Sequence, residues 1–194
     1  TCATTSASPT VTTTYICTIE NGCAVNDTVT VFIQTANAIA GPDSSICVGG
    51  AVPLNATGGV TYSWSPTIGL SNPNIANPLA TPTVTTVYTV TVTDAVGCTG
   101  TDIVTVTVNP SPTSVFTFTP GATYVDSIFT FTNTSTGGST YSWNFGDGNT
   151  STAQNPSNTY TAQGQFTVTL IITNAYGCTD TLVRPLYVEA GILP

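Results

Sequence analysis

Along much of this chain apolar and hydroxylated positions alternate one for one. Tyr88, Val90 and Val92 share one face of a stretch, and Thr89, Thr91 and Thr93 share the other. Val104, Val106 and Val108 repeat the arrangement, as do Phe129 and Phe131. A period of two buries one face of a strand and wets the other. Turn signals interrupt these runs at Gly41-Pro42-Asp43, Gly49-Gly50, Gly58-Gly59, Gly121 and Gly146-Asp147-Gly148. Their spacing is roughly the 8–12 residues of a sandwich. No segment carries a helical period, so the pattern predicts an all-β chain of β-sandwiches.

The pattern also repeats. Gly58-Gly59-Val60-Thr61-Tyr62-Ser63-Trp64 returns as Gly137-Gly138-Ser139-Thr140-Tyr141-Ser142-Trp143, 79 residues later (143 − 64). Thr93-Asp94-Ala95-Val96-Gly97-Cys98 returns as Thr173-Asn174-Ala175-Tyr176-Gly177-Cys178, an offset of 80 (178 − 98). Ser8 to Tyr15 matches Thr81 to Tyr88 at an offset of 73, and Asn21-Gly22-Cys23 follows as a third Gly-Cys pair. Fixed-period similarity is the mark of modular chains. The expected division is a back half-module over 1–36, a full module over 37–109, a second over 110–190 and a linker start at 191–194. The core of each module is expected around Trp64 and Trp143, each filling the gap between sheets, with Tyr88 and Val90 beside Trp64. The half-module lacks a tryptophan strand, and two strands alone are marginal in water. Its missing strands are expected from outside residues 1–194, from upstream sequence or from a neighbouring subunit.

Composition changes the picture by exclusion. The chain has 194 residues, of which 43 are Thr and 15 Ser, with nine acidic side chains, Arg184 as the one cation, and no His, Lys or Met. There is no imidazole base, Schiff-base lysine or P-loop lysine. No catalytic residue, cofactor or metal site is expected. A net charge of −8 cannot neutralise a phosphate backbone, which argues against nucleic acid, and it disfavours anionic membranes. No apolar run reaches the ~18 residues of a membrane span. Thr1 follows neither an initiator Met nor a signal peptide, so a processed or excised piece of a longer protein is expected. Six cysteines fit an oxidising, extracellular setting.

Tyr141-Ser142-Trp143-Asn144-Phe145-Gly146-Asp147-Gly148, Asn155 to Tyr160 and Gly164 to Leu170 resemble a PKD domain over residues 110–190. Asn144 stands where that family's signature has Asp, and Asn158 where it usually has His. The resemblance implies a seven-stranded sandwich serving as a spacer or binding module outside cells. Residues 1–109 resemble Ig-like repeats of large surface and gliding-associated proteins of the Bacteroidetes. The marks are Ala40-Gly41-Pro42-Asp43, Ile46-Cys47, Trp64 to Pro73 and Gly97-Cys98. This implies type IX secretion across the outer membrane and a stalk or fibre segment at the bacterial cell surface. Its partners would be neighbouring modules of the same or adjacent chains, with self-assembly into a fibre and a surface glycan or protein as ligand. The rival reading is a glycan- or protein-binding accessory module of a secreted hydrolase. An exposed aromatic row drawn from Tyr124, Tyr160, Tyr176 and Tyr187 would favour that rival.

Asp147 is read as a turn device rather than a calcium ligand, because calcium takes six to eight oxygens and only one carboxylate is local. Asp43, Asp94 and Asp102 read as solvated charges. Asp-Thr/Ser-apolar triplets at Thr28, Ser127 and Thr181 look like the Bacteroidetes O-glycosylation signal, against a background of Thr that makes chance matches easy. Among the cysteines, Cys47 and Cys98 are the pair within the first full module, so a bridge is expected there. Cys2 and Cys17 form a second candidate bridge between neighbouring strands. Cys23 and Cys178 are left over, either as hidden thiols or as inter-chain cysteines.

Overall fold

The computed structural model describes residues 5–19, 25–119 and 123–191, and every regular element among them is a strand. Two compact units emerge. The first comprises Thr1–Pro42, Pro53–Ala80 and Val87–Val104; the second comprises Asp43–Val52, Thr81–Thr86 and Thr105–Pro194.

The first unit opens on a hairpin of β1 (Thr13–Ile19) and β2 (Val25–Val31), paired antiparallel with Tyr15 opposite Val29 and Cys17 opposite Asp27. Its larger part contains β5 (Thr61–Ser65), β6 (Leu79–Ala80) and most of β7 (Thr86–Thr93). Strand β5 pairs antiparallel with β7, placing Trp64 opposite Val90. Trp64, Tyr88, Val90 and Val92 are buried, as the alternation requires, while the Thr residues between them are more exposed. A buried indole needs a partner for its N–H. Trp64 Nε1 donates to the Ile75 carbonyl at 3.0 Å, and the Tyr88 hydroxyl donates to the Ile68 carbonyl at 3.0 Å.

Strand β3 (Ser44–Cys47) runs parallel to β8 (Thr99–Asn109), with Cys47 opposite Asn109. The sheet order is β3-β8-β7-β5, and a short pair of β4 (Val52–Pro53) and β6 accompanies it.

In the second unit two sheets enclose an aromatic core. One has the order β10-β16-β15-β12-β13 and the other β14-β11-β9. The strands are β9 (Phe116–Thr119), β10 (Thr123–Tyr124), β11 (Ile128–Asn133), β12 (Thr140–Asn144), β13 (Thr150–Ser151), β14 (Ser157–Thr159), β15 (Gly164–Thr173) and β16 (Thr179–Gly191). Trp143 from one sheet meets Phe116 edge-on from the other, at 5.0 Å between ring centroids. Phe131 lies 5.7 Å from Trp143, and Tyr160 packs edge-on against Phe129 at 5.1 Å. Such pairs each add about 0.5–1.5 kcal/mol beyond burial. Trp143 Nε1 donates to the Ala153 carbonyl at 2.9 Å, the counterpart of the Trp64 bond.

The long β15–β16 hairpin shifts register between Phe166 and Val168. Opposite the shift lies Pro185, which has no N–H to give the ladder. Leu186, at φ 48°, gives its amide instead to Thr167 Oγ1. Arg184 here lies over the Tyr187 ring at 5.3 Å.

Candidate functional site

The densest polar constellation in the second unit surrounds the Gly146-Asp147-Gly148 turn that links β12 to β13. Asn144 Oδ1 accepts the Gly146 amide at 2.9 Å, and Gly146 sits at φ 85°, where a β-carbon would be driven into the Thr167 backbone. Asp147 Oδ1 accepts the Asn149 amide at 2.9 Å. Asp147 Oδ2 accepts Asn149 Nδ2 at 2.9 Å and Asn158 Nδ2 at 2.8 Å. Asn149 Nδ2 also donates to Asn158 Oδ1 at 3.1 Å. Asn158 is buried, so its amide depends on these partners. Two residues on, the buried Tyr160 hydroxyl donates to the Phe145 carbonyl at 3.1 Å. Burial first, then the nearby Asp147 charge, push the Tyr160 hydroxyl up to about 12, with the Asn158 hydrogen bond acting the other way. The Asp147 carboxylate thus spends its acceptors on its own turn and on β14, fastening the turn to the core.

A second device recurs at the Gly-Cys turns. Asp94 Oδ1 accepts the amides of Val96 at 3.0 Å and Cys98 at 2.9 Å. Asn174 Oδ1 accepts those of Tyr176 at 2.9 Å and Cys178 at 3.0 Å. Asp and Asn side chains readily bond backbone amides ahead of them, which makes them turn formers.

Other carboxylates pin the start of each sandwich. Asp102 Oδ2 accepts the Ala40 amide at 2.8 Å, and Asp43 Oδ1 accepts the Thr105 amide at 2.7 Å. Asp180 Oδ2 accepts both the amide and the hydroxyl of Ser114, at 2.7 and 2.6 Å. The Ala40 and Ile103 amides hold the Asp102 carboxyl below its usual range. The Ser114 hydroxyl and then its amide do the same for Asp180. Sequence reasoning took Asp43, Asp94 and Asp102 for solvated charge. The available signal was their rarity, since a chain with nine acidic residues places several of them beside turns.

The cysteine pairing departs from expectation. Cys47 is bonded to Cys178, with a Cα–Cα distance of 5.6 Å and a sequence separation of 131. Cys98 is a free thiol. The expected Cys47–Cys98 bridge fails on geometry: Cys47 lies opposite Asn109, while Cys98 precedes Thr99. The two ends of that eleven-residue strand are roughly 30 Å apart, and a disulfide requires α-carbons within about 7 Å. Cys178 is therefore an intrachain partner and not an inter-chain cysteine. Cys17 is a free, exposed thiol, and the expected Cys2–Cys17 bridge falls on Cys2, so it lies outside the described residues. Cys2 and Cys23 lie outside the described residues.

Of the modification candidates, Thr28 and Thr181 are exposed and Ser127 is half-buried. Asp27 Oδ1 accepts the Thr28 amide, and Asp180 is occupied by Ser114, so two of the three triplet carboxylates have structural work. The aromatic row does not form. Tyr124 and Tyr176 are exposed, but Tyr160 is buried, and Tyr187 packs edge-on against Phe118 at 4.8 Å.

Residues 109–189 match the family model described as PKD domain. No curated protein matches. Among solved structures, the chain is 29% identical to the PKD1 domain of Vibrio anguillarum Epp, covering 44% of this chain and 99% of that one, with a TM-score of 0.38. It is 31% identical to the PKD1 domain of the Vibrio cholerae metalloprotease PrtV, covering 41% and 99%, with a TM-score of 0.35. A structure titled for carbohydrate-binding modules from the β-sandwich superfamily is 28% identical, covering 41% of this chain and 35% of that one, with a TM-score of 0.38. Residues 109–189 are thus a PKD domain by sequence, within a disulfide-bonded all-β chain of the kind found in extracellular proteins.

Proposed function

We propose that this chain is a non-catalytic stalk or fibre segment of a large bacterial surface protein, of the adhesion- or gliding-associated type. Its work is mechanical: β-sandwiches in series hold an adhesive end away from the cell. One observation carries the reading. The disulfide joins Cys47, in one sequence repeat, to Cys178, in the next. Both cysteines belong to the second unit, so the bond closes that unit covalently and shortens the length of chain that pulling on it can release. A spacer benefits from this, whereas an isolated binding module does not need it. The polar constellations support the same reading, because Asp147, Asn158, Asp94, Asn174 and Asp180 all hold backbone or neighbouring side chains in place.

The test is immunogold electron microscopy of cells producing the native polypeptide, with an antibody raised against residues 110–190. Label standing off from the outer surface is expected. Label confined inside the outer membrane overturns the surface assignment. Specific, saturable binding of the isolated chain to a glycan array would move the assignment to the accessory-module reading.

A further inference from the structure

Cys98 and Cys178 occupy the same turn. In each, the residue four before the cysteine bonds its amide, and the cysteine carbonyl accepts that residue's own amide at 2.9 Å. Cys178 carries a disulfide and Cys98 does not.

The delivery of Cys47 to Cys178 can be traced. Strand β3 runs parallel to β8 and ends with Cys47 opposite Asn109. The Val48 amide then donates to the Asn109 carbonyl at 3.0 Å. The next residue, Pro110, accepts Asn174 Nδ2 at 2.7 Å with its carbonyl. Asn174 opens the turn that holds Cys178.

The N-terminal hairpin repeats the second half of this arrangement. An offset of 75 carries Val29, Val31 and Ile33 onto Val104, Val106 and Val108, and carries Gln34 onto Asn109. Strand β2 is therefore the counterpart of β8, and β1, through Tyr15 and Tyr88, is the counterpart of β7. The chain leaves β2 along the turn of Cys98. The Ala36 amide donates to the Thr99 carbonyl at 3.3 Å, and a β-carbon on Gly100 would collide with the Ala36 carbonyl. What is absent among the described residues is the counterpart of β3: β8 lies between β3 and β7, whereas β2 pairs with β1 alone. The core face shows the difference. Tyr88 and Val104 are 0% and 1% exposed, while Tyr15 and Val29 are 36% and 61% exposed. A cleft of about 610 Å³ runs along Tyr15, Cys17, Val29 and Val31, with Thr5, Ser6 and Ala7 of the same chain at its other side.

We infer that the free edge of β2 accepts a parallel strand of the β3 type, Ser-Ser-Ile-Cys in chemistry, whose final cysteine lies opposite Gln34 and bonds Cys98. Among the described residues the second edge of β2 has no strand beside it, and the alternating apolar side chain of the incoming strand covers the open face. The covalent step is thiol–disulfide exchange. The incoming cysteine arrives as a mixed disulfide, supplied by a disulfide oxidant of the oxidising compartment. Cys98, as its thiolate, attacks the strand's sulfur. The new S–S bond forms, the old one breaks, and the leaving thiolate takes the electron pair and a solvent proton. The exchange needs an oxidising compartment but no stalk role, so its failure and that of the stalk reading are separable.

The test uses the whole chain and a peptide with the sequence of residues 40–50, its cysteine activated as a mixed disulfide with thionitrobenzoate. A scrambled peptide with the cysteine in the same place is the control. The native-sequence peptide should label Cys98 about tenfold faster than the control, and Cys98→Ser should abolish that labelling. Amide exchange across β2 should slow in the adduct. Equal rates for the two peptides, labelling that falls mainly on Cys17, or an adduct that leaves β2 exchange unchanged overturns the inference. So does mass mapping that finds Cys98 already bonded to Cys2 or Cys23 in the isolated protein.

Discussion

Cys47 and Cys178 are joined across a sequence separation of 131, and the strand end that carries Cys47 is fixed opposite Asn109. Cross-linking so long a loop removes conformational freedom from the unfolded chain. The chain-entropy model gives about 5 kcal/mol for a loop of this size. Non-reducing peptide mapping should recover a single peptide pair containing both residues. Reduction, or the double replacement of Cys47 and Cys178 by Ser, should lower the denaturation midpoint of the second unit. A midpoint unchanged by reduction would contradict the pairing.

Trp64 and Trp143 are both 1% exposed, and both indoles donate to a carbonyl about ten residues on. Replacing either by Ala should cost ~3–5 kcal/mol, enough to unfold a unit of this size. Trp64→Ala should lower the melting of the first unit and Trp143→Ala that of the second. Far-UV circular dichroism melts of the two variants check this, and a loss under ~1 kcal/mol from either would contradict the assigned packing.

Tyr160 makes the second unit sensitive to alkali. Its hydroxyl titrates near 12 in the folded chain against an ordinary 10.0. The folded state therefore holds this proton more tightly than the unfolded state. The resulting stabilisation is complete below pH 10 and disappears as pH climbs to about 12. A shift of two units corresponds to at most roughly 3 kcal/mol. Urea midpoints measured from pH 8 to 12 should fall through this window in the native chain and fall less in Tyr160→Phe.

Asp147→Ala should leave the buried amide of Asn158 without its acceptor and destabilise the second unit by about 1–3 kcal/mol. The same change removes a charge that raises the Tyr160 titration, so absorbance titration should find that hydroxyl ionising at lower pH. A variant with unaltered stability and Tyr160 titration would show that the turn is held by its backbone alone.

Arg184 is the single basic residue, and Pro185 follows it. Trypsin cleaves Arg-Pro bonds poorly, so even the denatured, reduced chain should survive trypsin intact. Rapid fragmentation in a timed digest would refute this.

The alternation of Val, Tyr and Phe with Thr was enough to determine the all-β class, because a period of two has one physical meaning on a pleated strand. It also determined which residues are core. Trp64, Tyr88, Val90 and Trp143 lie buried where alternation and repeat placed them. The repeat identified Cys98 and Cys178 as occupants of one turn type, since the turn is a local event governed by Asp94 or Asn174 and a following Gly. Which sulfurs meet was beyond the sequence. Whether β3 runs parallel or antiparallel to β8 decides which end of β8 receives Cys47, and that is a long-range choice with no local code. The donors to Asp102, Asp147 and Asp180 were hidden for the same reason. Asn158 and Ser114 are eleven and 66 residues from the carboxylates they bond, and only closure of the sandwich brings them within reach.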